Sequence, residues 1–75
     1  MHDYKEIRKR IGSRVRALRE KSGLSQEDFA HEKGFGRSFM SSIENGKKDL
    51  RLSTLCKLAE VFNLTLSQFL KGIDS

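Results

Sequence analysis

The sequence predicts an all-α fold: five short helices in a single domain spanning residues 1–75. Three observations predict it. Apolar residues recur at three- and four-residue steps, and no alternating apolar run is long enough for a strand. Proline, the strongest helix breaker, is absent. Glycine or asparagine stands where each periodic stretch gives way to the next.

The first helix is read from about residue 4 to residue 21, with Tyr4, Ile7, Ile11, Val15 and Leu18 on one apolar stripe. Asp3 with Glu6 three residues later predicts a capping box at its start, and Gly23 a stop at its end. Ser25 caps the second helix. Its first turn carries Gln26, Glu27 and Asp28, where the helix dipole favours such groups. Phe29 and Ala30 face inward, and Gly34 ends this helix after barely two turns. Phe39, Met40 and Ile43 mark a third helix from about residue 37 to residue 45, closed by Asn45-Gly46. Gly36 offers it no capping side chain.

Leu52, Leu55, Leu58, Ala59 and Phe62 define the fourth helix, which Asn63 ends. Arg51 occupies its cap position, where a cation is unfavourable, so Asp49 is expected to substitute. Thr65 with Gln68 is a second capping box. It opens a short fifth helix with Leu66, Phe69 and Leu70.

A chain of 75 residues with 36% apolar content buries only a small core, and pairing with a second chain is one way to add stability. Cys56 is the only cysteine, so no disulfide framework helps. With no signal-like N-terminus, this points to a reducing cytoplasm. Cys56 is expected to pack beside the apolar stripe. No purely apolar stretch exceeds two residues, which excludes a membrane-spanning helix. His2 and His31 have no acidic or cysteine partners at metal-ligand spacing. There is no phosphate-cradling glycine loop and no nucleophile–base set. No enzyme activity, cofactor, metal or small-molecule ligand is therefore expected.

The net charge is +5, and residues 1–21 hold eight cations against three acids, which accounts for all of it. Lys47, Lys48 and Arg51 form a second basic cluster. Basic patches suit nucleic acid or an anionic membrane, and a solvated helix face is the plain alternative. A membrane role for the first helix conflicts with its apolar stripe, which the core needs.

The informative feature is a pair of short helices joined around Gly34. Neither can bury a core alone. Braced by the first and fourth helices, they can hold the third at the surface, in the geometry that enters a major groove about 12 Å wide. The segment Gly23-Leu24-Ser25-Gln26-Glu27-Asp28-Phe29-Ala30, then Gly34, then Met40-Ser41-Ser42-Ile43-Glu44-Asn45-Gly46-Lys47, resembles the lambda-repressor-like helix-turn-helix family. This family is also described as Cro-type or xenobiotic-response-element. The likeness extends through residues 11–20 and 55–62 and covers roughly residues 7–71. The size and residues 50–52 resemble restriction–modification controller proteins, with small phage or plasmid repressors as the alternative within the family.

The resemblance implies a five-helix fold in which the third helix reads double-stranded DNA. By position, Arg37, Ser38 and Ser42 match base-facing residues, and Ser41 shares their face at helical spacing. Gln26, Asn45, Lys47 and Lys48 match phosphate-contacting positions. Arg19 and Glu44 match a partly buried ion pair that ties the first helix to the third. A serine-rich reading face offers few strong base contacts, so some specificity is expected from DNA shape. The surplus apolar residues Val61, Leu64, Leu66, Phe69, Leu70 and Ile73 predict a homodimer formed through the last two helices. The expectation is a nucleoid-associated transcriptional regulator on a palindromic site. The rival is an antitoxin-like or adaptor module that uses the same fold to bind a protein partner.

Overall fold

The computed structural model describes residues 3–74. Its helices are α1 (Tyr4–Lys21), α2 (Gln26–Lys33), α3 (Arg37–Glu44), α4 (Leu52–Val61) and α5 (Leu66–Phe69). No strand occurs among the described residues. His2, read above as a histidine without metal partners, lies outside them.

Side chains within a few residues of each helix start decide where most helices begin. Asp3 accepts from the backbone N–H groups of Lys5 and Glu6 at 3.0 and 3.4 Å. Glu6 does not complete the box; its carboxylate turns to Arg10 at 3.6 Å. Ser25 accepts from the Asp28 N–H at 3.1 Å. Thr65 and Gln68 form the full reciprocal box, at 2.9 and 3.1 Å. The third helix starts at Gly36 without a side-chain cap. So does the fourth, at Arg51. Asp49 therefore does not substitute there, contrary to expectation.

The core consists of Ile11, Val15, Phe29, Ala30, Met40, Ile43, Leu58, Ala59 and Phe69. The chain's five phenylalanines run through it as one file of stacked rings. Phe39 meets Phe35 at 6.2 Å between centroids, Phe35 meets Phe29 at 6.5 Å, Phe29 meets Phe62 at 5.2 Å, and Phe62 meets Phe69 at 6.4 Å. The file reaches from α5 through the core to the surface of α3, within the range where offset aromatic pairs attract.

Helix α1 crosses α3 at Gly12. A Cβ built on Gly12 would lie 2.7 Å from the Glu44 carbonyl oxygen, closer than real side chains come. The lack of a side chain is what lets the two backbones meet.

Three readings of the apolar pattern need correction. Tyr4 begins the stripe in sequence but is 75% exposed, because it lies one turn beyond the core. Cys56 is exposed and does not pack. Phe69 is fully buried in the chain's own core, which removes it from the expected dimer surface.

The cations of α1 also have a different use from the one their density suggests. Arg14 donates to the carbonyls of Phe69 and Gln68, both at 3.2 Å. Arg10 donates to the Ile73 carbonyl at 2.9 Å, and Arg8 to the Gly46 carbonyl at 3.4 Å. These residues fasten the C-terminal turn and the end of α3 to α1.

Candidate nucleic-acid interface

The site is built on α2, the turn and α3. Gly34 adopts φ 75°, a left-handed conformation that suits glycine, and its N–H donates to the Ala30 carbonyl. The next residue, Phe35, drops its ring between Phe29 and Phe39. Lys57 of α4 lies over that ring, 4.6 Å from its centre. The turn is thus held by apolar contact and one cation–π pair.

Met40 and Ile43 fix the inward face of α3. Its outward face carries Arg37 and Ser38, both exposed, then Ser41 and Ser42, half-buried, then Asn45, exposed. Gln26, at the start of α2, joins Arg37, Ser38, Ser41 and Ser42 around one open polar hollow. The fold thus brings together residues 11 or more apart in sequence that the spacing alone could not place side by side. Asn45 donates to Ser41 at 3.4 Å. Lys47 and Lys48 follow α3 and are exposed, with the Lys48 ammonium 5.4 Å from the Phe39 ring centre. Phe39 itself is half-buried.

Behind this face lies Glu44, whose side chain is fully buried. Arg19 grips it with two nitrogens, Nε at 2.7 Å and an Nη at 3.1 Å. The other Nη of Arg19 donates to the Leu24 carbonyl at 2.7 Å. Gln26 donates to Glu44 Oε1 at 3.1 Å, and Arg16 donates to the same oxygen at 3.3 Å. Burial pushes the Glu44 carboxyl up, but the hydrogen bonds from Arg19, Gln26 and Arg16 more than offset it. The group is held below the ordinary carboxylate range. The hydrogen bond to Glu44 likewise raises Arg19 above its ordinary value.

This cluster locks the end of α3 to α1 and to the start of α2. Sequence reasoning named Arg19 and Glu44 but missed Arg16 and the Gln26–Glu44 bond. A signal for Arg16 was present: it lies three residues before Arg19, on the same face of α1. The Gln26 amide has a second N–H, which leaves it able to meet an outside acceptor as well.

A separate apolar area lies on α4, α5 and the C-terminal turn. Val61, Leu64, Leu66, Leu70 and Ile73 are half-buried. Leu70 and Ile73 line an apolar hollow with Ile7, Ile11 and Leu55. Leu52, near the start of α4, is 67% exposed.

Residues 15–69 match the helix-turn-helix family model. The chain is 40% identical over 70 residues to control protein C.MunI of a Mycoplasma species, covering 92% of this chain and 95% of that protein. It is 35% identical over 68 residues to control protein C.SmaI of Serratia marcescens, covering 91% and 77%. Among solved structures, it resembles the restriction-modification controller protein C.AhdI from Aeromonas hydrophila. That likeness has a TM-score of 0.78 at 32% identity and covers 91% of this chain and 99% of that one.

Proposed function

The chain belongs to the helix-turn-helix family, and on that premise we propose that it is a DNA-binding transcriptional regulator that grips a palindromic operator as a homodimer. The observation that carries the reading is the polar, outward face of α3, held beside Gln26 by the buried Glu44 cluster. A helix fixed in this way can present side chains to base edges without first paying an ordering cost. Arg37, Ser38, Ser41 and Ser42 face the bases. Gln26, Asn45, Lys47 and Lys48 meet phosphates on either side. The likeness to C.MunI, C.SmaI and C.AhdI supports a place among restriction–modification controllers, acting in the cytoplasm. The role is binding, not catalysis.

The half-buried Val61, Leu64, Leu66, Leu70 and Ile73 form the two-fold interface, with Phe69 supporting them from the core. Two-fold symmetry sets the reading helices about 34 Å apart, one turn of DNA.

The test is selection of bound sequences from a random DNA library, with sedimentation of the free and bound protein. A palindromic consensus and a dimer on DNA are expected, with affinity that falls steeply with salt. No consensus, and weak binding at every salt concentration, would favour the protein-interaction module instead. A monomer both free and on DNA at tens of micromolar would remove the dimer.

A further inference from the structure

Glu44 is one carboxylate faced by two guanidinium groups, and the two are held differently. Arg19 has all three of its nitrogens engaged, and its side chain is 12% exposed. Arg16 is 48% exposed and touches Glu44 through Nε alone, at 3.3 Å, the longest of the four bonds to that carboxylate. Its two Nη groups have no protein partner among the described residues. An arginine held by Nε keeps the rest of its fork for a second acceptor, and a guanidinium matches a phosphate in that geometry.

The position of Arg16 says which acceptor. Glu44 Oε1 accepts from Arg16 Nε and Gln26 Nε2 as well as from an Nη of Arg19, so Arg16 and Gln26 are neighbours across a single oxygen atom. Gln26 in turn lines the hollow with Arg37 and Ser38. Arg16 and Arg19 share Glu44, Glu20 acts on Arg19 through space, and Arg37 adds a further cation along the hollow that Gln26 lines.

We propose that Arg16 is a further DNA phosphate contact: Glu44 holds it by Nε and presents its Nη groups to the strand that Gln26 meets. The inference rests on the reading of the protein as a DNA-binding regulator. It assigns to Arg16 a task beyond holding Glu44, which Arg19 and Gln26 already do.

The test compares the wild type with Arg16→Gln and Lys71→Gln, the latter removing an exposed cation in the turn after α5, outside α1, α2 and α3. Affinity for the selected operator and for unrelated duplex DNA is measured across a salt series, with melting curves beside it. Arg16→Gln is expected to weaken both DNAs by the same factor and to lower the slope of log affinity against log salt by roughly one unit per chain. Lys71→Gln should leave the slope in place. An Arg16→Gln protein that keeps the wild-type slope overturns the proposal, whether or not it melts earlier, because a purely structural loss does not change the number of counterions released. Equal losses of slope in both variants also overturn it, since the effect is then one of overall charge. A wild type that binds no duplex DNA, or binds it without salt dependence, removes the DNA-binding reading itself.

Discussion

The guanidinium of Arg14 donates through Nε to the carbonyl oxygen of Phe69 at 3.2 Å, tying the middle of α1 to the end of α5. Helix α5 is only four residues long and cannot stand by itself. Its last carbonyls lack intrahelical partners, and a cation is favourable at that end. A second bond, from Arg14 to Gln68, strengthens the clamp. Arg14→Ala is expected to destabilise the fold by about 1–2 kcal/mol. Hydrogen exchange should speed up first at Leu70 and Ile73, whose amides bond within that turn. Unchanged urea unfolding and exchange would show that the clamp is redundant.

Glu44 ties stability to pH. Its carboxyl is depressed in the folded state, so it stabilises the fold at pH values above the ordinary range of an unfolded glutamate. That contribution is lost as pH falls through the folded value. Glu44→Gln should therefore be less stable than wild type at pH 7 and should lose less on acidification, so the two melting curves converge. Arg19→Ala should cost about 1–3 kcal/mol at pH 7, because Glu44 is left buried with weaker partners. Wild type and Glu44→Gln that lose melting temperature in parallel down to pH 3 would show that this carboxylate is not the titrating group.

At Gly12 two local preferences oppose each other. Alanine is the better helix former by about 1 kcal/mol, so exposed glycine-to-alanine changes in helices stabilise. Here the new methyl group meets the carbonyls of Ile43 and Glu44, which are backbone and cannot swing away. Gly12→Ala is expected to cost about 1–3 kcal/mol net and to push α1 from α3. The end of α3 would shift with it, so, on the proposed DNA-binding role, operator affinity should fall further than stability alone explains. A variant as stable as wild type would mean that the crossing is loose enough to absorb a methyl group.

These features differ in how far sequence could reveal them. Asp3, Ser25, Gly34 and Thr65 act within a few residues of where they stand, so local pattern found the helix starts and the turn. Arg8, Arg10 and Arg14 act on carbonyls 38, 63 and 55 residues away, and charge density alone read them as a surface patch. Phe69 shows the same limit. Its position on an apolar stripe is legible, but whether that stripe meets its own core or a second chain depends on how α5 docks. Asp49 looked like a substitute cap because of its charge, yet α4 begins without any side-chain cap. On the candidate site, helical spacing was enough to group Ser38, Ser41 and Ser42. The neighbourhood of Gln26 and α3 needed the tertiary fold.

Arg37 and Lys47 should divide the work on DNA. Arg37 opens α3, is exposed, and is the one long cationic side chain on the outward face of that helix. If it reaches the O6 and N7 of a guanine, Arg37→Ala should cost about 1–3 kcal/mol per half-site and relax the preference at one base pair. Lys47 lies beyond the helix end, where its amide donates to the Ser42 carbonyl at 2.9 Å and its side chain is exposed. On the proposed reading its ammonium meets a phosphate at the edge of the groove. Lys47→Ala should weaken all sequences alike, with the salt slope falling by roughly one unit per lost contact. Both variants should melt like wild type, since neither side chain is in the core. The check is affinity for the selected operator and for each single-base variant of one half-site, at two salt concentrations. Should Arg37→Ala weaken every sequence equally and keep the same base preferences, Arg37 is a phosphate contact. Readout then falls to Ser38, Ser42 and the shape of the DNA, as a serine-rich face would favour.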